Sequence, residues 1–301
     1  MSGRSDCPWP CPPGFGEALT QEDKGEIMIA ALGYEFFRNA LLAGILASVA
    51  CGIIGSFVVV KRMVSLSGGI SHASFGGIGL GYYLGFDPIA GAMVFCIAVA
   101  AFIARLRSVA HQHLDTLVGA VWAGGMAFGI MLIYLTPGFA PDLFGYLFGN
   151  ILLVPSSDLF LMFAIVIGII LIIGLFYNHF LAVTFDEEYA SVMNIPSGFV
   201  MTVLLILTAV TIVMLIQVVG IILVIALLTL PAAIAREFTG NLKMMIYLSV
   251  LTGIFFTTTG IFLSYELNVP SGATIILFSV IVYLIVIGFK KNLRKKEKLS
   301  E

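Results

Sequence analysis

"SGFVMTVLLILTAVTIVMLIQVVGIILVIALLTLPAAIA", residues 197–235, contains no Asp, Glu, Lys or Arg. A helix that crosses a bilayer uses about 20 residues, so this run is too long for one crossing. It reads as two, divided near Gln217 and Gly220, and it sets the frame for the rest of the chain.

The 301 residues are 60% hydrophobic and 11% charged, with a mean hydropathy of +1.08. Soluble domains are about half apolar and about a quarter charged, so the composition is that of an integral membrane protein. A net charge of -2 leaves no basic surface for nucleic acid and no acidic tail. Four cysteines are too few for a disulfide framework. Cys51 and Cys96 fall in apolar spans and read as small buried side chains. Cys7 and Cys11, in "CPWPC", lie in a Pro-rich leader over residues 1–34 that reads as disordered, a metal or redox pair being the alternative. The first 27 residues lack the apolar core of a signal peptide, and Met28 is a candidate start.

Reading between charges gives further spans near 39–60, 70–86, 88–104, 116–136, 159–178, 244–265 and 271–289. With the two in 197–235 the expectation is an all-α polytopic protein of about nine transmembrane helices, a membrane domain over 35–289 and a basic tail over 290–301. Lys61, Arg62, Arg105, Arg107, Arg236, Lys243 and the cluster from Lys290 to Lys298 all fall on one side of such a topology. The opposite loops carry no Lys or Arg. The positive-inside rule then places the N-terminus outside and the C-terminus in the cytoplasm. The segment 143–154, "LFGYLFGNILLV", is too short to span and reads as a re-entrant or interfacial piece.

Small residues recur every fourth position in the first span (Ala43, Ala47, Cys51, Gly55, with Gly44, Ser48, Gly52, Ser56 beside them) and in the second (Ala73, Gly77, Gly81, Gly85). Such rows stack on one helix face and let backbones approach closely.

Residues 184–196, "TFDEEYASVMNIP", form an acidic insert on the expected cytoplasmic side. Thr184 and Glu187 have capping-box spacing, and Asp186, Glu187 and Glu188 would complement the dipole of a first turn. Phe185, Tyr189, Val192 and Met193 recur at helical spacing as an apolar face, with Asn194 and Pro196 ending the run. A membrane-surface helix would carry Lys or Arg on its polar face. This one carries acids unsupported by positive charge, so a protein partner is the expectation.

Three polar features remain. His72, in "GGISHASFGG", is the only histidine inside a span, where an ionisable group is costly and points to function; a neutral histidine bonded to a backbone carbonyl is the plain alternative. His111, His113 and Asp115 alternate in a cytoplasmic loop and have zinc-ligand chemistry, though alternation alone does not build a closed site. Asp87, Asp142 and Glu266 lie at external span ends, where they could attract cations. No phosphate-binding loop, metalloprotease helix or nucleophile elbow occurs, so transport outranks enzymology and no catalytic residue is expected.

Four segments together, "VVVKRMVSLSGGISHASFGG", "LDTLVGAVWAGGMAFG", "AVTFDEEYASVMNI" and "VVGIILVIALLTLPAAIAR", resemble the membrane permeases of ATP-binding-cassette importers for zinc, manganese and iron over about 35–289. The resemblance implies a permease with no cofactor of its own that moves a divalent transition metal. It also implies a second permease copy, two cytoplasmic ATPase subunits and an external metal-binding protein. It assigns residues 185–194 to docking in a groove on the ATPase. Gly68 departs from the pattern, since many relatives have Asp before "SHA", so no carboxylate accompanies His72 there. A permease for a metal chelate (siderophore or cobalamin) is the alternative within the class. An ion-coupled secondary transporter is the alternative outside it, disfavoured because no Asp or Glu lies well inside a span.

Overall fold

The computed structural model describes residues 35–107, 114–137, 143–149, 151, 154–267 and 269–300. Among the described residues the regular structure is entirely helical. In chain order the helices are α1 (Glu35–Val60), α2 (Val64–Leu84), α3 (Pro88–Arg107), α4 (Leu114–Leu135), α5 (Leu143–Phe148), α6 (Ser156–Leu175), α7 (Tyr177–Phe185), α8 (Glu187–Val192), α9 (Ser197–Phe238), α10 (Leu242–Leu267) and α11 (Ser271–Ser300). Seven of them (α1, α3, α4, α6, α9, α10 and α11) are long and apolar enough to cross a membrane. The leader 1–34, with Cys7, Cys11 and Met28, lies outside the described residues.

The long apolar run folds as one hydrogen-bonded element, α9, but Gly220 interrupts it with φ 74 and ψ 161. Only glycine adopts such a conformation without penalty, so the break falls where length alone demands a division. It is covered on one side. Gly149, just past the short helix α5 and itself at φ 62, lies so close that a Cβ there would collide with the backbone of Val219 and Gly220. Residues 143–148 therefore form a single short helix packed on α9.

Two boundaries differ from the sequence reading. α2 begins at Val64, six residues before position 70, because the Ser- and Gly-rich stretch that looks like a loop is helical and buried (Leu66, Ser67, Gly68, Gly69). The helix α11 continues through the basic segment to Ser300, so residues 290–300 extend a span.

α1 and α9 form the centre. The first span's two small-residue rows are buried throughout; Gly55 faces the Leu228 carbonyl of α9, and Gly52 faces Val250 of α10. α2 packs against α4, with a Cβ at Gly79 only 2.8 Å from the Cα of Gly129, a spacing that glycine alone permits. Hydroxyls in these interiors donate to their own helix: Ser48 to Gly44, Ser56 to Gly52, and Thr208 to Leu204, at 2.7, 2.7 and 2.8 Å. Each is thereby satisfied without water, as an apolar setting requires. The outer belt is apolar: Val94, Tyr134, Phe160 and Leu175 are exposed. Such a surface is stable against lipid and not against water.

The basic residues gather at one end of the bundle. Lys61 reaches α8 and Arg107 does the same. Arg236 donates to the Val59 carbonyl at 3.1 Å, and Lys290 pairs with Glu237 at 3.0 Å. At the other end Asn39 bonds Val154 and Ser156, and Gln217 donates to Asp158 at 2.6 Å.

Candidate functional site

The insert 184–196 folds differently from its capping-box reading. Thr184 is not a cap: its hydroxyl donates to the Phe180 carbonyl at 2.6 Å inside α7. Asp186 takes that role. It is extended (φ -149, ψ 107), and its Oδ1 accepts from the backbone N–H of both Glu188 and Tyr189 at 2.9 Å. An Asp in this position satisfies amides that a helix start leaves unpaired. α8 is consequently six residues long and does not fill 185–194. Its end is a Schellman motif. Asn194 adopts φ 57, with Ile195 N–H donating to Ala190 O at 3.0 Å and Asn194 N–H to Ser191 O at 3.1 Å, the geometry that commonly closes helices.

The three acids thus have three environments. Asp186 caps. Glu188 is exposed. Glu187 turns inward, and its Oε1 takes Lys61 Nζ at 2.5 Å and Arg107 Nη2 at 2.6 Å. This corrects the expectation that the insert lacks positive support: Lys61 and Arg107, distant in sequence, supply it. Burial by itself would raise the Glu187 carboxyl, but the hydrogen bonds and charges of Lys61 and Arg107 outweigh burial and hold it below its ordinary value. Lys61 also serves the bundle itself, since its Nζ donates to the Val183 carbonyl at 2.8 Å.

Ala190, one turn on from Glu187, is fully buried, so α8 presents its 187/190 side to the bundle. Phe185, Tyr189, Val192 and Met193 are all exposed, Val192 at 79%. Four large apolar side chains on one short segment, at the end where the basic residues gather, make an unpartnered apolar face.

His72 sits midway along α2. Its ring stacks on Trp122 of α4, centroids 4.3 Å apart and planes within 8°. Its Nδ1 is buried and has no hydrogen-bond partner among the described residues, so the plain carbonyl-bonded reading does not hold for that atom. One turn earlier on the same face, a Cβ at Gly68 would meet nothing within 4 Å; the same is true at Gly119 and Gly124, flanking Trp122. Among the described residues no three His, Cys, Asp or Glu side chains come close enough to hold a metal. Trp122 is a partner that the sequence does not announce, because nothing in the spacing of 72 and 122 predicts stacking.

The remaining candidates separate. Asp87 Oδ1 accepts from Ile89 N–H at 3.0 Å and caps the start of α3. Asp115 accepts from Ser65 Oγ at 3.3 Å. Glu266 is near the end of α10. Cys51 and Cys96 are free and buried. His111, His113 and Asp142 lie outside the described residues.

Residues 33–290 match the ABC 3 transport family. The chain belongs to that family. A membrane protein of Synechocystis sp. is 47% identical over 88% of this ABC 3 chain and 95% of its own length. The manganese transport system membrane protein MntC of Listeria monocytogenes is 35% identical over 85% of this chain and 91% of its own. Among solved structures, PsaBC from Streptococcus pneumoniae in complex with Fab superimposes with a TM-score of 0.78 at 33% identity, covering 87% of this chain and 95% of that one. This ABC 3 family member is accordingly a multi-pass membrane protein and a transport subunit, not an enzyme.

Proposed function

We propose that this chain is the permease subunit of an ATP-driven importer and carries a divalent transition metal, with manganese, zinc and iron as candidates. The observation that carries the reading is α8. It is a capped segment with exposed apolar side chains on it and at its two ends (Tyr189 and Val192, with Phe185 before and Met193 after), at the end rich in Lys and Arg. An exposed apolar face of this kind calls for a protein partner, and a cytoplasmic ATPase subunit is the partner that an ABC transport family member requires. The manganese transport named for the Listeria relative gives the cargo class.

The finer topology follows as part of the proposal. The seven long apolar helices, the Gly- and Ser-rich α2, and the division of α9 at Gly220 make nine crossings, with the N-terminus outside and the basic end in the cytoplasm. A second permease copy would meet the open α2–α4 face around Gly68, His72, Gly119 and Trp122, so that His72 borders a shared pathway. Neutral imidazole is a ligand suited to these metals, and a partner copy would supply further ligands. An external metal-binding protein would deliver the ion.

Uptake of radiolabelled manganese, zinc and iron by proteoliposomes containing the permease and its ATPase tests the proposal. ATP-dependent accumulation of one of these ions is the expected result. Accumulation that persists without ATP and follows a proton or sodium gradient would replace this reading with a secondary transporter.

A further inference from the structure

A six-residue helix has too few hydrogen bonds to hold itself in place; isolated helices shorter than about 12 residues are marginal in water. The position of α8 must therefore come from its ties to the bundle. Ala190 packs inward, and a polar tie is made through one atom, Glu187 Oε1. It joins Lys61 Nζ, in the turn between α1 and α2, to Arg107 Nη2, on the last residue of α3. Lys61 Nζ is also bonded to the Val183 carbonyl near the end of α7. Glu187 Oε1 thus connects α8 to the α1–α2 turn and to α3, and Lys61 Nζ adds α7.

The connection is shielded. The Lys61 and Arg107 side chains are 12% and 19% exposed and that of Glu187 is 32%, unlike the open surface pairs that contribute little. The backbone beside it is strained: Arg62 adopts φ 58, a left-handed conformation that non-glycine residues keep only where surrounding contacts impose it. Behind the junction, α2 carries His72, and α3 presses on α2 through Gly77 and Gly91. The exposed apolar side chains of this segment, Phe185, Tyr189, Val192 and Met193, take no part in these ion pairs.

We propose that Glu187 is a positioning residue that works as a strut. It transmits displacement of the outward face of α8 into the cytoplasmic ends of α1, α2 and α3, and through them to the pathway beside His72. The inference rests on the reading that α8 docks the ATPase. Glu187 itself does not touch the ATPase; the carboxylate faces the permease interior, and its two cations compete with any contact outward.

The test uses the full permease–ATPase complex in nanodiscs and proteoliposomes, with Glu187→Gln and the charge exchange Glu187→Arg with Arg107→Glu. Two readouts are taken. Hydrogen exchange at the 187–193 amides in the permease alone reports the tie, independent of any partner. The ratio of metal ions transported to ATP hydrolysed reports transmission. The expected result for Glu187→Gln is exchange faster by about tenfold, corresponding to roughly 1.4 kcal/mol of lost protection, with a lowered transport ratio while the ATPase still co-purifies; the charge exchange restores both in part. Unchanged exchange overturns the strut, as does faster exchange with an unchanged transport ratio. If Val192→Asp leaves the ATPase bound, the docking reading is what fails, and the exchange data still decide the tie.

Discussion

Gly149 abuts Gly220, and both hold positive φ, 62 and 74. The end of a six-residue helix is thus fitted against the one non-helical residue of a 42-residue element. A side chain at 149 is excluded twice, by the backbone of Val219 and Gly220 and by the left-handed conformation. Gly149→Ala should lower stability by about 1–3 kcal/mol, read as a drop in the thermal midpoint of the detergent-purified permease. An unchanged midpoint would mean that α5 does not seat on the break.

Asp186→Ala removes the acceptor for two amides at the start of α8. Loss of such a cap costs about 0.5–2 kcal/mol, and the loss should be local. Exchange at 187–192 accelerates while the long helices keep their protection. Thr184→Ala, by contrast, should leave α8 exchange unchanged, because Thr184 bonds within α7.

The capping error shows where sequence ended as a guide. Thr184 and Glu187 have the spacing of a capping box, but α7 runs on through Phe185, so Thr184 lies inside a helix and the first free position falls at Asp186. Nothing local distinguishes the two. The seven long apolar helices were legible because apolar length is a one-dimensional signal, and the Gly220 break inside α9 was legible for the same reason. The span near 70–86 came from reading between charges, and its helix starts earlier, at Val64, because the Ser and Gly residues at 65–69 are what a helix uses to approach its neighbours closely. The partners of Glu187 and His72 were hidden because Lys61, Arg107 and Trp122 reach them only through the tertiary fold.

Acid should release α8. Burial would raise the Glu187 carboxyl, and Lys61 and Arg107 more than reverse this. A carboxyl depressed in the folded state contributes fully above its unfolded value of about 4.3 and loses that contribution as pH falls through the folded value. Protection of 187–193, corrected for intrinsic exchange, should therefore be flat from neutral pH to about 5 and decline below about 4. Glu187→Gln should abolish the decline.

His72→Ala should reduce metal uptake by about tenfold, the equivalent of one contact of roughly 1.4 kcal/mol, with assembly intact. It also unstacks Trp122, so the tryptophan emission should shift in the same variant. Normal uptake alongside a shifted spectrum would leave His72 a packing partner of Trp122 and remove it from the pathway.

Val192→Asp places a charge in the exposed apolar face of α8 without touching the Glu187 junction. Desolvating an unpaired carboxylate in an interface costs several kcal/mol, so the ATPase should no longer co-purify, while α8 exchange in the permease alone stays as in the unmodified protein.

Asp186 and Glu187 are adjacent acids with separate duties, and those duties are fixed by position and not by charge. Inserting or deleting one residue between Thr184 and Glu188 would keep the composition acidic yet hand the cap to the wrong carboxylate and swing the inward one away from Lys61 and Arg107. The length of this joint is therefore as constrained as its chemistry, and a loop that looks tolerant of change should prove intolerant of even a single-codon frame-preserving insertion.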